Sequence, residues 1–200
     1  MSEPTWEIAR LFPDQGCWPE EDYLALDTKR LVEFVDGTVE VLPTPSPLHQ
    51  LLVRRIFGLL LAFEMRRGGQ VLFSPLRVRL RPGLFREPDV AYMRPEHRSR
   101  RRADYWDGAE LVVEVVSPGG EARDRVKKRA DYAAAGVSEY WIVDPQQHSV
   151  EVLRLRGDVY ARHAYGEGEG EGEGTLTAAT LDGVSIDLAG LFAAEEEGAE

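Results

Sequence analysis

The hydrophobic pattern changes period along the chain, and the changes mark out its elements. RLVEFVDGTVEVLP alternates apolar and polar positions on either side of Asp36-Gly37, a dipeptide that accepts positive φ in a tight turn, so a β-hairpin is predicted. Leu48, Leu51, Leu52, Ile56, Leu59, Leu60 and Phe63 then recur at three- and four-residue steps, which predicts a helix with one broad apolar face. Ser46 and Pro47 supply its N-cap and first position, and Gly68-Gly69 stops it. Residues 70–73 and 76–80 read as strands, followed by a short strand in PDVAYM. Residues 111–116 form a near-continuous β-branched run, the mark of a strand buried on both faces, interrupted by Glu114. Past Ser117-Pro118-Gly119-Gly120 the period is helical to about Ala135, with Gly136 as the stop. Ala122, Val126, Ala130, Ala133 and Val137 are its expected core stripe. Asp124, Lys128 and Tyr132 lie on a separate polar face, turned to solvent or to a polar cleft. EYWIVD, HSVEVLRL and DVYARHAY predict three more strands, with Asp144 as a turn residue, and residues 176–191 a last strand and short helix. An irregular arm and a short helix at residues 20–26 are expected at the start.

Composition changes this picture in three places. Two hundred residues suit one domain with its own core, and a single cysteine, Cys17, excludes an internal disulfide framework. No leader pattern or membrane-length apolar run is seen, so a cytoplasmic, soluble chain with no membrane contact is expected. The net charge of -11 argues against nucleic-acid binding until its distribution is considered. Ten of the 35 acids, and none of the 24 Lys and Arg, lie from Gly166 onward, so the body is close to neutral. Within that body residues 77–102 hold nine arginines, a patch able to hold phosphates or simply a solvated loop. The GEGEGEGEG run at 166–174 predicts a mobile loop whose glutamates would repel phosphate, and the acidic end at 195–200 is expected to fray.

The candidate chemistry centres on Glu114. An ionised carboxylate in a doubly buried strand needs a partner, hydrogen bonds or a metal. Asp89, in PDVAYM, is the first candidate neighbour; two such acids would repel unless a cation lay between them. Their separation of 25 residues permits adjacent strands. On pattern alone Glu33 reads as a solvated strand position and His49 as a helix-start or surface residue. Only three of the 24 bases are lysines, which singles out Lys128 as a place where a compact ammonium is wanted.

The segments VEFVDGTVEVLPTPSPLHQ, EPDVAYM, LVVEVVSP and KKRADYAAAGVSEYWIVDP, in that order, resemble the Uma-two family of restriction-endonuclease-like proteins, a branch of the PD-(D/E)XK nuclease superfamily. The resemblance implies an α/β fold with a central mixed β-sheet flanked by helices and additional hairpin strands. It implies a DNA endonuclease in which Asp89, Glu114 and the Val115 carbonyl hold Mg²⁺ or Mn²⁺. The superfamily lysine is a valine here, Val116, and the matching ammonium is Lys128 on the next helix. Glu33 corresponds to an upstream acid of the catalytic set, His49 and Tyr132 to positions without an assigned chemical role. His49 and Tyr132, together with Arg77 and Arg79 in the arginine-rich segment, are candidate substrate contacts. A homodimer is expected, since cutting a duplex on both strands calls for two sites. The competing reading is an inactive nuclease-fold module that binds nucleic acid or a protein, with Glu114 satisfied by an arginine.

Overall fold

A computed structural model describes residues 12–168 and 174–193. The start of the predicted arm, the middle of the Gly-Glu run and the acidic end lie outside the described residues. In chain order the elements are α1 (Glu20–Leu24), the hairpin β1 (Val32–Val35) and β2 (Thr38–Val41), the long helix α2 (Pro47–Arg67), then β3 (Gln70–Phe73), β4 (Val78–Arg81), β5 (Leu84–Arg86) and β6 (Val90–Met93). The short β7 (Trp106–Asp107) and β8 (Leu111–Val115) follow. A π-helical turn (Arg123–Lys128) then runs into α3 (Arg129–Ala134). The chain continues through β9 (Glu139–Asp144), β10 (Ser149–Arg156), β11 (Val159–Glu167), β12 (Thr175–Thr177), β13 (Ser185–Asp187) and α4 (Leu188–Phe192).

The mixed central sheet runs β11-β10-β9-β8-β6-β3, with β8 and β9 parallel and the other pairs antiparallel. Leu111, Val113 and Val115 of β8 pack with Leu52, Ile56, Leu60 and Phe63 of α2, while Val112 joins a second cluster with Tyr132 and Ala133 of α3. Successive strand residues point to opposite faces, so Glu114 shares its face with Val112 and looks toward the helix of residues 121–134. A five-stranded sheet, β2-β1-β5-β4-β7, forms the hairpin-rich remainder. Val32, Phe34 and Phe85 cover Tyr23 of α1, which turns the intervening Glu33 and the adjacent Arg86 to the other side. The turn between β1 and β2 is the expected one: Asp36 and Gly37 have φ of 45° and 82°, and a side chain at Gly37 would meet the Gly16 carbonyl at 2.6 Å.

Helix α2 starts where its caps predict, with Ser46 Oγ accepting the His49 N–H at 3.2 Å. Its stripe is shifted by one edge: Leu48 is exposed and Val53 is buried instead. The larger correction concerns residues 121–134. Val126 is 65% exposed and Ala122 and Ala130 face solvent, whereas Asp124, Lys128 and Tyr132 are buried. The sheet presents Glu114 to this helix, and a buried carboxylate is met more favourably by an ammonium and a hydroxyl than by methyl groups. Other differences are local: β4 begins two residues later than the pattern suggests, β11 extends into the Gly-Glu run through Glu167, and β12 and β13 form a hairpin where one strand is predicted. Among the described residues no helix is long and apolar enough to cross a membrane.

Candidate active site

Strands β6 and β8 pair antiparallel with Val90 opposite Val113, so Asp89, leading into β6, and Glu114 meet at one end of the pair. Asp89 Oδ2 accepts the Val115 N–H at 2.7 Å and lies 3.2 Å from His49 Nε2. Glu114 Oε1 accepts from Lys128 Nζ at 2.8 Å and from the Tyr132 hydroxyl at 2.6 Å. Each acid thus spends one oxygen on protein donors; among the described residues no donor is bonded to Asp89 Oδ1 or Glu114 Oε2. Both acids line a cavity of about 30 Å³ with Lys128, His49, Arg123 and Asp124.

Lys128 is the hub. Its ammonium also lies 3.0 Å from Glu33 Oε1 and 3.7 Å from Asp124 Oδ1. The solvated-strand reading of Glu33 is therefore overturned: its side chain has no exposed surface, and Arg86 Nη1 donates to Oε2 at 2.7 Å. Arg86 holds Asp131 of α3 as well, at 2.6 Å, so the two sheets and the helix are joined at one guanidinium. His49 is likewise buried rather than on the surface, because the first turn of α2 abuts the Asp89 end of β6. Tyr132, Lys128 and Asp124 stand at four-residue steps, Asp124 and Lys128 lining the cavity and Tyr132 reaching Glu114 beside it; the turn that carries the first two is π-helical, and such turns recur at functional sites.

The electrostatics are those of an excess of acid. Burial pushes the Glu114 carboxyl up; Lys128 opposes this, and Asp89, Asp124 and Glu33 add to it. Burial works against the Lys128 charge, but Glu114, Glu33 and Asp124 override it and hold the ammonium protonated. Glu33, despite burial, is kept ionised by Lys128 and Arg86. Asp124 is raised by burial against the pull of Lys128 and Arg123. His49 is shifted toward its charged form by Asp89, which outweighs burial.

Glu87, between the two sheets, accepts the Val32 N–H at 3.0 Å. Burial pushes it up to about 7, with Glu33 adding and Val32, Arg77 and Lys128 opposing. A carboxyl raised from 4.5 to about 7 favours the folded state while protonated and loses that contribution as pH rises through this window. In EDTA, urea unfolding of the wild type is expected to lose about 1 kcal/mol more than Glu87→Gln between pH 5 and 7, after halving the full linkage value of about 2 kcal/mol for solvent in the cleft. Parallel pH profiles would remove Glu87 as the cause.

Among the sequence candidates, the fold brings together Asp89, Glu114, Val115, Lys128, Glu33, His49 and Tyr132. Arg77 and Arg79 are placed elsewhere. Arg77 donates to the Leu24 and Leu26 carbonyls at 2.7 and 3.2 Å, and Arg79 is held by Asp107 at 2.7 Å and Glu20 at 3.4 Å. Arg86, Asp124 and Arg123 are additions; the i,i+4 spacing of Asp124 from Lys128 was the available signal for one of them, and Arg86 carried none.

Among the described residues no three His, Cys, Asp or Glu side chains cluster closely enough to cage a metal by themselves. Mg²⁺ does not ask for such a cage: it binds through one or two carboxylates and keeps several waters. Two acids with unpaired oxygens, a backbone carbonyl at Val115, a carboxyl pushed up by burial and by neighbouring acids, and room for one or two waters suit that ion.

The mixed sheet and the helices that flank it form an α/β fold similar to that of a solved structure, a "putative nuclease belonging to DUF820" from Anabaena variabilis. The identity is 15%, the similarity covers 90% of this chain and 98% of that one, and the TM-score is 0.69. The chain belongs to the Uma2 family, described as "Putative restriction endonuclease", whose model matches residues 20–189. No curated protein matches it.

Proposed function

We propose that this chain is a metal-dependent endonuclease that hydrolyses phosphodiester bonds in DNA. One observation carries the reading: Asp89 and Glu114, buried at one end of a strand pair, each keep an oxygen free of protein donors on a cavity that also holds a lysine ammonium. Asp89, Glu114 and the Val115 carbonyl hold Mg²⁺ or Mn²⁺. The bound ion supplies Lewis-acid polarisation of the phosphate and a more acidic water.

The remaining chemistry belongs to the side chains. Three carboxylates hold Lys128 charged, so it acts as a donor: it orients the attacking water and offsets charge growing on the phosphoryl oxygens. Tyr132 fixes Glu114 Oε1 from the other side, and Glu33, itself gripped by Arg86, positions the Lys128 ammonium. His49 and the Val115 N–H orient Asp89. Arg123, beside Asp124 on the cavity wall, meets the phosphate. Glu114 bonds to Lys128 and Tyr132 rather than to an arginine, and both donors share Oε1, which supports a role for the second oxygen in ion binding. Cleavage of both strands makes the working unit a homodimer.

The test is thermal unfolding of the wild type and Glu114→Gln across Mg²⁺ and Mn²⁺ titrations at fixed ionic strength. A ligand specific to the folded state stabilises by about 2.7 kcal/mol at a hundredfold excess over its dissociation constant. The wild-type midpoint is expected to climb with metal while that of Glu114→Gln stays flat, with Mn²⁺-dependent nicking of supercoiled plasmid lost in the same variant. A flat response in both proteins would leave a nuclease fold without the metal site and end this reading.

A further inference from the structure

A second, larger cavity lies behind Glu87. Its volume is about 510 Å³, within the range of sites that take a small organic ligand. Glu87 lines both this cavity and the small one at Asp89 and Glu114, and Arg30 here adjoins Leu31 there, so the two share a wall. The lining divides by chemistry. Leu72, Leu76 and Trp106 make an apolar floor, and around it four arginines, Arg30 and Arg102 among them, outnumber the carboxylates of Glu87 and Asp104. Arg30 and Arg102 are exposed, and Arg102 reaches Asp107 with Nε at 3.1 Å. Arg101 lies over the Trp106 ring at 5.8 Å and donates from Nη2 to the Met93 carbonyl at 3.1 Å; its Nε is buried and has no hydrogen-bond partner among the described residues.

A slot with an apolar floor, an aromatic wall and guanidinium groups at its mouth matches one nucleotide: the base lies on the apolar surface and its phosphate meets the arginines. A base-paired nucleotide cannot enter, because its face is stacked and its edge is occupied. We infer that this cavity binds one unpaired nucleotide of the DNA strand, adjacent to the phosphodiester presented to Asp89, Glu114 and Lys128. The inference rests on the nuclease reading for its substrate. It adds that the enzyme engages a strand with a displaced or unpaired residue, as at an overhang, flap or mismatch, and not a fully stacked duplex.

The probe is a 5′-fluorescein pentathymidylate, followed by anisotropy in EDTA so that no cleavage or metal contributes. The wild type is expected to bind it at least tenfold more tightly than a pentamer with abasic sites, and Arg30→Ala/Arg102→Ala to lose at least tenfold. A charge-matched control, Arg66→Ala/Arg156→Ala, removes two exposed arginines outside both cavities and is expected to lose less than threefold. The three proteins should share one thermal midpoint and one Mn²⁺-dependent shift. Equal affinity for the abasic pentamer, or equal losses in the two double variants, would overturn the proposal, since binding would then be unspecific attraction to the phosphates. Failure of the nuclease reading looks different: the metal-dependent shift is absent while the oligomer still binds in the slot.

Discussion

Replacing Lys128 with methionine is expected to lower the unfolding free energy by about 3–5 kcal/mol at neutral pH, the range for removing one partner of a buried ion pair. The methionine matches the stem in volume, so the loss reports the charge. Glu114, Glu33 and Asp124 would be left around an apolar tip, with Glu33 still held by Arg86 but Glu114 retaining only the Tyr132 hydroxyl. These carboxyls would titrate higher in the folded state than in the unfolded chain. Groups shifted in that direction support folding below their unfolded pKa and cease to do so as pH rises, so the deficit should shrink toward about pH 4 and widen toward about pH 8. Urea titrations at several pH values measure this directly. A loss below about 1 kcal/mol, independent of pH, would mean that the acids are already neutral or solvated and that Lys128 is not the hub.

The second large effect belongs to Arg86. Arg86→Met strips Glu33 of its guanidinium and Asp131 of its main contact, and should cost about 3 kcal/mol or more. Because Glu33 also touches Lys128, the damage should reach the active site: plasmid nicking is expected to fall even where the protein remains folded. A double-mutant cycle separates the terms. If Arg86 acts through Glu33, Arg86→Met/Glu33→Gln will be less destabilised than the two single losses together, with a coupling of about 1–3 kcal/mol. Simple additivity would show that Arg86 stabilises the fold through Asp131 alone.

Much of this architecture could be read from local patterns, for identifiable reasons. The Asp36-Gly37 turn and the Ser46-Pro47 helix start depend on backbone preferences that a few residues carry by themselves. The β8 run is apolar on both sides because helices cover both faces, and Glu114 stood out against that background. What local reading missed depends on partners distant in the chain. Glu33 occupies a polar position of an ordinary alternating hairpin; only the register of β1 beside β5 brings it to Arg86. His49 looked like a helix-start residue and is one, yet the same position also delivers it to Asp89. The helix of residues 121–134 inverted the usual rule. Of its predicted stripe only Ala133 and Val137, at the C-terminal end, are buried; the site faced by the earlier turns is charged, so there Asp124 and Lys128 are buried and Ala122, Val126 and Ala130 lie in water. Arg79 shows the converse: in an arginine-rich segment, composition suggests a phosphate contact where the fold supplies the carboxylates of Asp107 and Glu20, while Arg77 bonds to the Leu24 and Leu26 carbonyls and lines the larger cavity.

The division of the site between strand and helix has a mechanical consequence. Asp89 and Glu114 are fixed relative to each other by the β6–β8 ladder, whereas Lys128 rides on the connection between the parallel strands β8 and β9. Its distance from the acids is set by how the helix seats on the sheet through Tyr132, Ala133, Val137 and Tyr140. A small change in that seating would move the ammonium and the Tyr132 hydroxyl against Glu114, while Asp89, held by the Val115 N–H, stays in place. On the proposed reading, the tilt of one short helix would therefore tune the Lys128 ammonium and the Glu114 half of the ion site together, while the strand ladder alone sets the Asp89 half.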